Sequence, residues 1–215
     1  MVQFEWFRNQ STINNSHRAN VVGASARNYG GFMEALHSTI LLSPVGPLFL
    51  AASEKGLVAL EFDARLPGQQ TIRPYPRDSG GENEPTENKG IRFEESPRVM
   101  RPYVAELEEY FAGQRRKFSF ALDLRGTDFQ LACWRALLAI SYGETRTYAD
   151  IARAVGKTQA FRAVGMANHR NPVAIVVPCH RVIASDGTLC GYGGGLDVKR
   201  KLLELEGALT RKLVA

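Results

Sequence analysis

The chain has 215 residues, 44% apolar and 23% charged, a balance that fills a globular core. No apolar stretch approaches the roughly 20 residues of a membrane-spanning helix, and residues 1–37 lack the apolar segment behind a basic start that marks a signal peptide. Three scattered cysteines, Cys133, Cys179 and Cys190, exclude a disulfide framework and a paired Cys-x-x-Cys zinc site, and fit a reducing cytoplasm.

In chain order, residues 1–37 mix Asn, Ser, Arg and Gly without a sustained period and read as a poorly ordered tail. From Thr39 the pattern alternates: 39–42, a turn over Ser43, Pro44, Val45 and Gly46, then 47–52 predict a hairpin. A second turn at Glu54, Lys55 and Gly56 leads into 57–62, for three short antiparallel strands. The Pro-, Gly-, Glu- and Asn-rich stretch 64–96 has no face to bury and reads as a long surface loop. Pro97 then opens a helix, with Met100, Tyr103, Leu107, Tyr110 and Phe111 at helical spacing and Gly113 as its stop. Residues 117–124 (KFSFALDL) alternate as one more strand. Together these predict a small α+β domain over 38–124.

A second, mostly helical unit is expected over 125–215. It carries the positive charge of the chain: 13 Lys/Arg against 7 Asp/Glu, where the remainder has 14 against 15 and the whole has +5. That surplus suits a polyanion such as nucleic acid, or simply a solvated basic surface. Thr127 is a good N-cap for a helix bearing Phe129, Cys133, Trp134, Leu137 and Leu138. Thr147 caps a short helix that ends at Gly156, and Thr158 starts another. Asn171 before Pro172 must end that one, because the residue before proline avoids helical geometry. Two short helices joined by a glycine turn, the second with Arg162, His169 and Arg170, make a helix-turn-helix pattern.

Chemistry concentrates further on. The apolar run 174–177 (AIVV) delivers the chain into Pro178, Cys179, His180, Arg181 and Val182. A cysteine held behind a proline is positioned, and a basic neighbour raises its reactive thiolate fraction. In an extended strand the His180 ring would point away from the thiol, so contact needs a turn or a bridging water. An inert buried cysteine beside a surface histidine is the competing reading. The glycine-rich stretch 191–195 lets backbone amides approach a ligand, although a plain surface loop would look the same. A last helix, 197–206, turns Leu202, Leu203 and Leu205 to a core. Glu206 falls at its end, where the helix dipole disfavours a carboxylate without a partner; orienting a histidine would supply one.

Taken in order, the run Tyr148, Ala149, Asp150, Ile151, Ala152, then Arg162, Ala163, Val164, Gly165, then Asn171 and Pro172, PCHRV at 178–182, Gly191 and Tyr192, and Glu206 and Gly207 resemble one family. It is the methylated-DNA–protein-cysteine methyltransferases, or O6-alkylguanine-DNA alkyltransferases, of the bacterial stand-alone type. The likeness covers 125–207 and, more loosely, 39–124. It implies an α+β fold: a ribonuclease H-like domain with a small antiparallel sheet, then a mostly helical, winged helix-turn-helix-like domain that binds DNA and accepts the alkyl group.

The resemblance also assigns roles. Cys179 would attack the alkyl carbon on guanine O6 in a single displacement, with His180 as base through a water and Glu206 orienting it. Asn171 would fix the turn joining the DNA-binding helix to the cysteine segment. Tyr148 would turn the target phosphate and help neutralise the leaving guanine. Arg162 would enter the duplex as a finger, with Ala163 packed in the minor groove and Arg170 among the DNA-binding residues. Tyr192, the Gly193 amide and the backbone at Cys179 and Val182 would line the base pocket. Base flipping is physically required, since a thiolate cannot reach O6 inside the stack. A thioether has no route back, so one chain is consumed per lesion.

No cofactor and no metal is implied. The partner is double-stranded DNA carrying O6-alkylguanine, with O4-alkylthymine as a second candidate, bound by a cytoplasmic monomer away from any membrane. Gly193 stands where some relatives carry a hydroxyl residue, which suggests a roomier pocket. Cys133 and Cys190 read as small apolar fillers. A non-catalytic sensor of alkylated DNA is the rival function, but such relatives lack the acceptor cysteine. A thiol hydrolase would need an acyl site and multiple turnover. Regulatory relatives carry a four-cysteine zinc domain, and no cysteine precedes Cys133, so an activator role is not expected.

Overall fold

The computed structural model describes residues 34–62 and 91–209. The first hairpin turns on Ser43, whose hydroxyl donates to the Gly46 carbonyl (2.6 Å) and accepts from the Val45 amide (3.2 Å). It joins β1 (Glu34–Ser43) to β2 (Gly46–Ser53), antiparallel, with Leu41 opposite Leu48. A second turn leads to β3 (Gly56–Phe62), antiparallel to β2 with Leu50 opposite Leu60 and a bulge between Ala51 and Ala52. The alternation sends Leu48, Leu50 and Ala52 to the main core, while Ala51 joins Leu36, Val58 and Ala59 on the other face.

Four sequence expectations are corrected. The first strand begins at Glu34, not Thr39, so 34–37 belong to the sheet rather than the tail. Its first half pairs in parallel with β4 (Ile91–Glu95), inside the stretch expected to be loop. The reason is a short alternation among charges: Ile91 and Phe93 pack on the Leu36 cluster, and Phe93 meets Phe49 edge-on at 5.3 Å. The sheet is therefore mixed rather than all antiparallel, in the order β3-β2-β1-β4. Residues 117–124 form no regular strand; they pair with β3 only through Leu122 opposite Leu57. Their alternation packs the half-buried Phe118 and Phe120 against Tyr110 and Tyr103 of the preceding helix, without a ladder. The remainder of the expected tail, 1–33, and of the expected loop, up to residue 90, lies outside the described residues.

Helix α1 (Pro97–Phe111) opens on its proline and lays Met100, Leu107, Tyr110 and Phe111 on the sheet. Beyond it, α2 (Asp128–Leu138) starts with a capping box, Thr127 and Gln130 each satisfying the other's amide. The same device, Thr147 with Asp150, starts α3 (Tyr148–Ala154). The following helix, α4, is Phe161–His169; Thr158 lies in the turn before it, and Ala160 stands at the N-cap without a side-chain bond. After α4 come a 3-10 turn (Cys179–Arg181) and α5 (Leu196–Leu205). Two-residue strands β5 (Arg146–Thr147), just before α3, and β6 (Val182–Ile183), just after the 3-10 turn, pair in parallel.

One core crosses the boundary expected near residue 125: Leu48, Leu57 and Leu60 of the sheet share it with Trp134, Leu137, Val164 and Val177. The outer edge of β3 makes the join. Leu57 exchanges backbone bonds with Ala121 and Asp123, and Leu60 with Pro172 and Ala174, all between 2.8 and 3.0 Å. An edge that would otherwise be open thus holds the segment leading to Cys179. Among the described residues no helix is long and apolar enough to cross a membrane.

Candidate active site

Two tight turns place Cys179. The amide of Val176 reaches the Ala174 carbonyl (2.8 Å) around Ile175, at φ 70°, and the Cys179 amide reaches the Val177 carbonyl (2.8 Å) around Pro178. Both close a bond over two residues, and the first does so in the rare left-handed sense. Thus 174–177 is buried as expected but turns rather than running as a strand. Asn171 holds the result: its Nδ2 donates to the Val177 carbonyl (2.7 Å) and to Cys179 Sγ (3.1 Å), while its Oδ1 accepts from the Val173 amide (3.1 Å).

Because Cys179 opens a 3-10 turn, His180 is not thrown to the opposite side as it would be in a strand. It is fully buried, with Nε2 2.9 Å from Glu206 Oε1. Glu206 closes α5 and accepts from Arg181 through Nε (2.7 Å) and Nη2 (2.9 Å), from the Tyr110 hydroxyl (2.7 Å) and from the Gly143 amide (3.4 Å). Burial alone would raise the Glu206 carboxyl, but the bonds from His180 and Arg181 prevail and hold it near 2. The carboxylate is therefore ionised and can only accept, so the proton of that contact sits on Nε2 and the lone pair on Nδ1. Nδ1 is buried with no protein partner. Burial also lowers His180 below its ordinary 6.5, against the pull of Glu206, so the ring is neutral at pH 7.

Burial pushes the Cys179 thiol up, while the Asn171 bond and the Lys199 charge pull it down; the balance stays above the ordinary thiol value. A protonated thiol thus needs a base, and a neutral imidazole with a bare nitrogen is the adjacent residue. Lys199 is itself fully buried, its ammonium spanning the Val182 carbonyl (2.6 Å) and the Cys190 carbonyl (2.8 Å).

Cys179 opens into a cavity of about 300 Å³, the lower end of the range for small-ligand sites. Tyr148, Asn168, Tyr192 and Gly193 line it with the thiol. The Tyr192 hydroxyl and both amide atoms of Asn168 are buried without protein partners, so the cavity presents polar groups ready for a polar occupant. Phe62 packs on Tyr192 at 5.5 Å, and a Cβ on Gly194 would meet the Phe62 ring at 2.8 Å, which is why the glycine there lies flat against the sheet. Val182 is fully buried, its carbonyl held by Lys199. Arg162 and Ala163 lie exposed on α4 beside Phe161 and Met166, with Arg162 over the Phe161 ring at 5.9 Å, and Arg170 caps the same helix. Trp134 fixes α4 from below, donating Nε1 to the Ala167 carbonyl at 2.9 Å.

The model of the 6-O-methylguanine DNA methyltransferase ribonuclease-like domain matches residues 36–124, and that of the DNA-binding domain of the same enzymes matches 128–208. The chain belongs to the methylated-DNA–protein-cysteine methyltransferase family. The Methanosarcina barkeri member is 46% identical over 171 residues, 80% of this chain and 97% of its own. The Mycobacterium tuberculosis member is 44% identical, over 80% of this chain and 92% of its own. Crystal structures of the latter superpose with a TM-score of 0.63, and of 0.62 for its complex with DNA at 42% identity, each covering 93% of that chain.

Three buried groups of this family site carry no sequence-based assignment. Arg181 lies within PCHRV, yet nothing in the motif says that its charge is buried on Glu206. Lys199 had a legible signal, since it sits on the apolar stripe of α5 with Leu202 and Leu203. Tyr110 read only as a core aromatic, and no local pattern could have tied it to a carboxylate 96 positions away. Among the described residues no group of three or more His, Cys, Asp or Glu is placed to hold a metal ion.

Proposed function

We propose that the chain repairs DNA by moving an alkyl group from guanine O6 onto Cys179, each molecule acting once. The observation that carries this is the bare, buried Nδ1 of His180, the residue next in sequence to a thiol that Asn171 holds at 3.1 Å. The thiol proton passes through a water to Nδ1, and Glu206 steadies the imidazolium that forms. The sulfur then attacks the alkyl carbon; the S–C bond forms, the C–O6 bond breaks, and its electron pair stays on the guanine. Tyr148, in the cavity lining, helps neutralise that leaving base. Burial keeps its phenol protonated well above the ordinary range, so it has a proton to share.

The base must leave the stack to enter the cavity. Arg162 fills the gap it leaves, with Ala163 in the minor groove and Arg170 nearby, while Tyr192 and the Gly193 amide hold the guanine. We take the acting species to be a cytoplasmic monomer, and O4-alkylthymine to be a second substrate. DNA recognition is supported by the solved DNA complex of the Mycobacterium tuberculosis relative.

The test is intact mass after incubation with duplex DNA holding one O6-methylguanine, with Cys179→Ala in parallel. One methyl gained by the wild type alone, saturating at one per chain, is the expected result. Tight binding of the lesion with no change in mass would make the chain a sensor and end the transfer reading.

A further inference from the structure

We propose that Tyr110 is a positioning residue of the transfer site: its hydroxyl, supplied by α1, shares Glu206 Oε1 with His180 and fixes the carboxylate on which the imidazole rests. The proposal deepens the transfer reading above and rests on it. Oε1 receives three donors, His180 Nε2 at 2.9 Å, Arg181 Nη2 at 2.9 Å and Tyr110 Oη at 2.7 Å, the last the shortest. All are shielded from bulk solvent: His180 and Tyr110 are 0% and 1% exposed, and Glu206 5%. There a short bond to a charged acceptor is worth more than at the surface.

The phenol is an obligate donor, because burial and the adjacent carboxylate keep it protonated far above its ordinary range. It is also immobile, its ring set among Phe111, Phe118 and Tyr142 at centroid distances of 5.4, 5.5 and 6.2 Å. Each donor on Oε1 draws off charge that would otherwise make His180 more basic. Removing the hydroxyl therefore raises the proton affinity of His180, and a protonated His180 cannot serve as base. The other titratable groups facing this pair are Arg181 on the 3-10 turn, Lys199 on α5, Tyr142 after α2 with Arg116 over its ring, Cys179 and Tyr192. Arg181 and Lys199 also disfavour the imidazolium, so Tyr110 acts on a balance that is already set toward the neutral ring.

The experiment follows the His180 imidazole by NMR titration in the full chain, assigned among the four histidines by a His180→Gln spectrum. Tyr110→Phe should raise the midpoint by about one pH unit, the scale of one lost charge-assisted bond. 3-Fluorotyrosine at position 110 keeps the shape, donates more strongly and should lower the midpoint; it carries the test if Tyr110→Phe does not fold. Met100→Ala, which hollows the same helix away from the carboxylate, should leave the midpoint in place. The acid limb of the methyl-transfer rate should move with the midpoint. A midpoint unmoved by either change at 110, or moved equally by Met100→Ala, would overturn the proposal. Failure of the wild type to gain a methyl would instead sink the transfer reading, and the titration would still be readable.

Discussion

The two surfaces proposed to carry the chemistry and to meet DNA are built on opposite terms. Around Cys179, charged groups are sunk in the interior and each is answered: Glu206 by His180, Arg181 and Tyr110, and Lys199 by two carbonyls. On α4 the apolar and basic side chains face outward, Phe161 at 46% and Met166 at 52% exposure, with Arg162 between them and no side-chain cap at the helix start. The difference separates two tasks. Bond-making needs groups whose protonation and position do not wander, which a buried, paired interior provides. Engaging a polyanion needs side chains that keep their freedom until the partner arrives.

That contrast can be broken most forcefully at Glu206. Glu206→Ala leaves Arg181 buried without its counter-charge and should cost about 3–5 kcal/mol, read from denaturation midpoints, along with nearly all transfer. A loss below 1 kcal/mol would mean that solvent reaches and screens the interior charges. Acid should act in the same direction. The Glu206 carboxyl, ordinarily at 4.5, is held near 2, so its contribution of about 3 kcal/mol is complete above pH 4.5 and is lost as the pH falls toward 2. His180 adds to this: its folded-state affinity is below 6.5, so the unfolded chain takes up that proton first on acidification. A stability profile flat between pH 7 and pH 3 would contradict both.

Asn171→Ala should weaken folding by about 1–3 kcal/mol, since the Val177 carbonyl and the Val173 amide lose their partner, and should slow transfer even from a free base. On the other surface the pattern reverses. Arg162→Ala should leave stability within about 0.5 kcal/mol, yet slow transfer from duplex DNA roughly tenfold or more. Uptake from free O6-benzylguanine should not change, because no duplex needs opening. Equal losses on both substrates would place Arg162 inside the chemistry instead. The smallest effect is expected at Gly193, where a Cβ would meet nothing within 4 Å. Gly193→Ser should leave methyl transfer intact and slow benzyl transfer by about threefold, short of the tenfold typical of a filled tight pocket. Single-turnover rates on the two substrates decide it.

What the sequence reveals follows the same division. Features made by neighbours are legible: the Thr127 and Thr147 caps, the β1–β2 hairpin, the Pro97 start, and Glu206 as a carboxylate needing a partner at a helix end. Features made by distant chain are not. β4 is five residues of weak alternation whose pairing with β1 only the folded sheet reveals. Residues 117–124 alternate well enough, but β3 offers them a single bridge because the rest of its edge takes the segment at Val173. Tyr110 escaped for the same reason, its partner lying on another element.

The left-handed Ile175 has a consequence for anyone who would move this chemistry elsewhere. Among the described residues it is the one non-glycine at positive φ, and it is β-branched, a conformation costing about 1–3 kcal/mol that persists only where surroundings enforce it. Here the enforcement comes from Leu60 on β3, whose carbonyl holds the Ala174 amide at 3.0 Å. A peptide bearing Asn171 through Ile183, or that stretch grafted onto a foreign scaffold without such an edge, would relax at Ile175 and part Cys179 from Asn171. The five letters of PCHRV are thus an address rather than a device, and reactivity at this cysteine would not transplant with its motif.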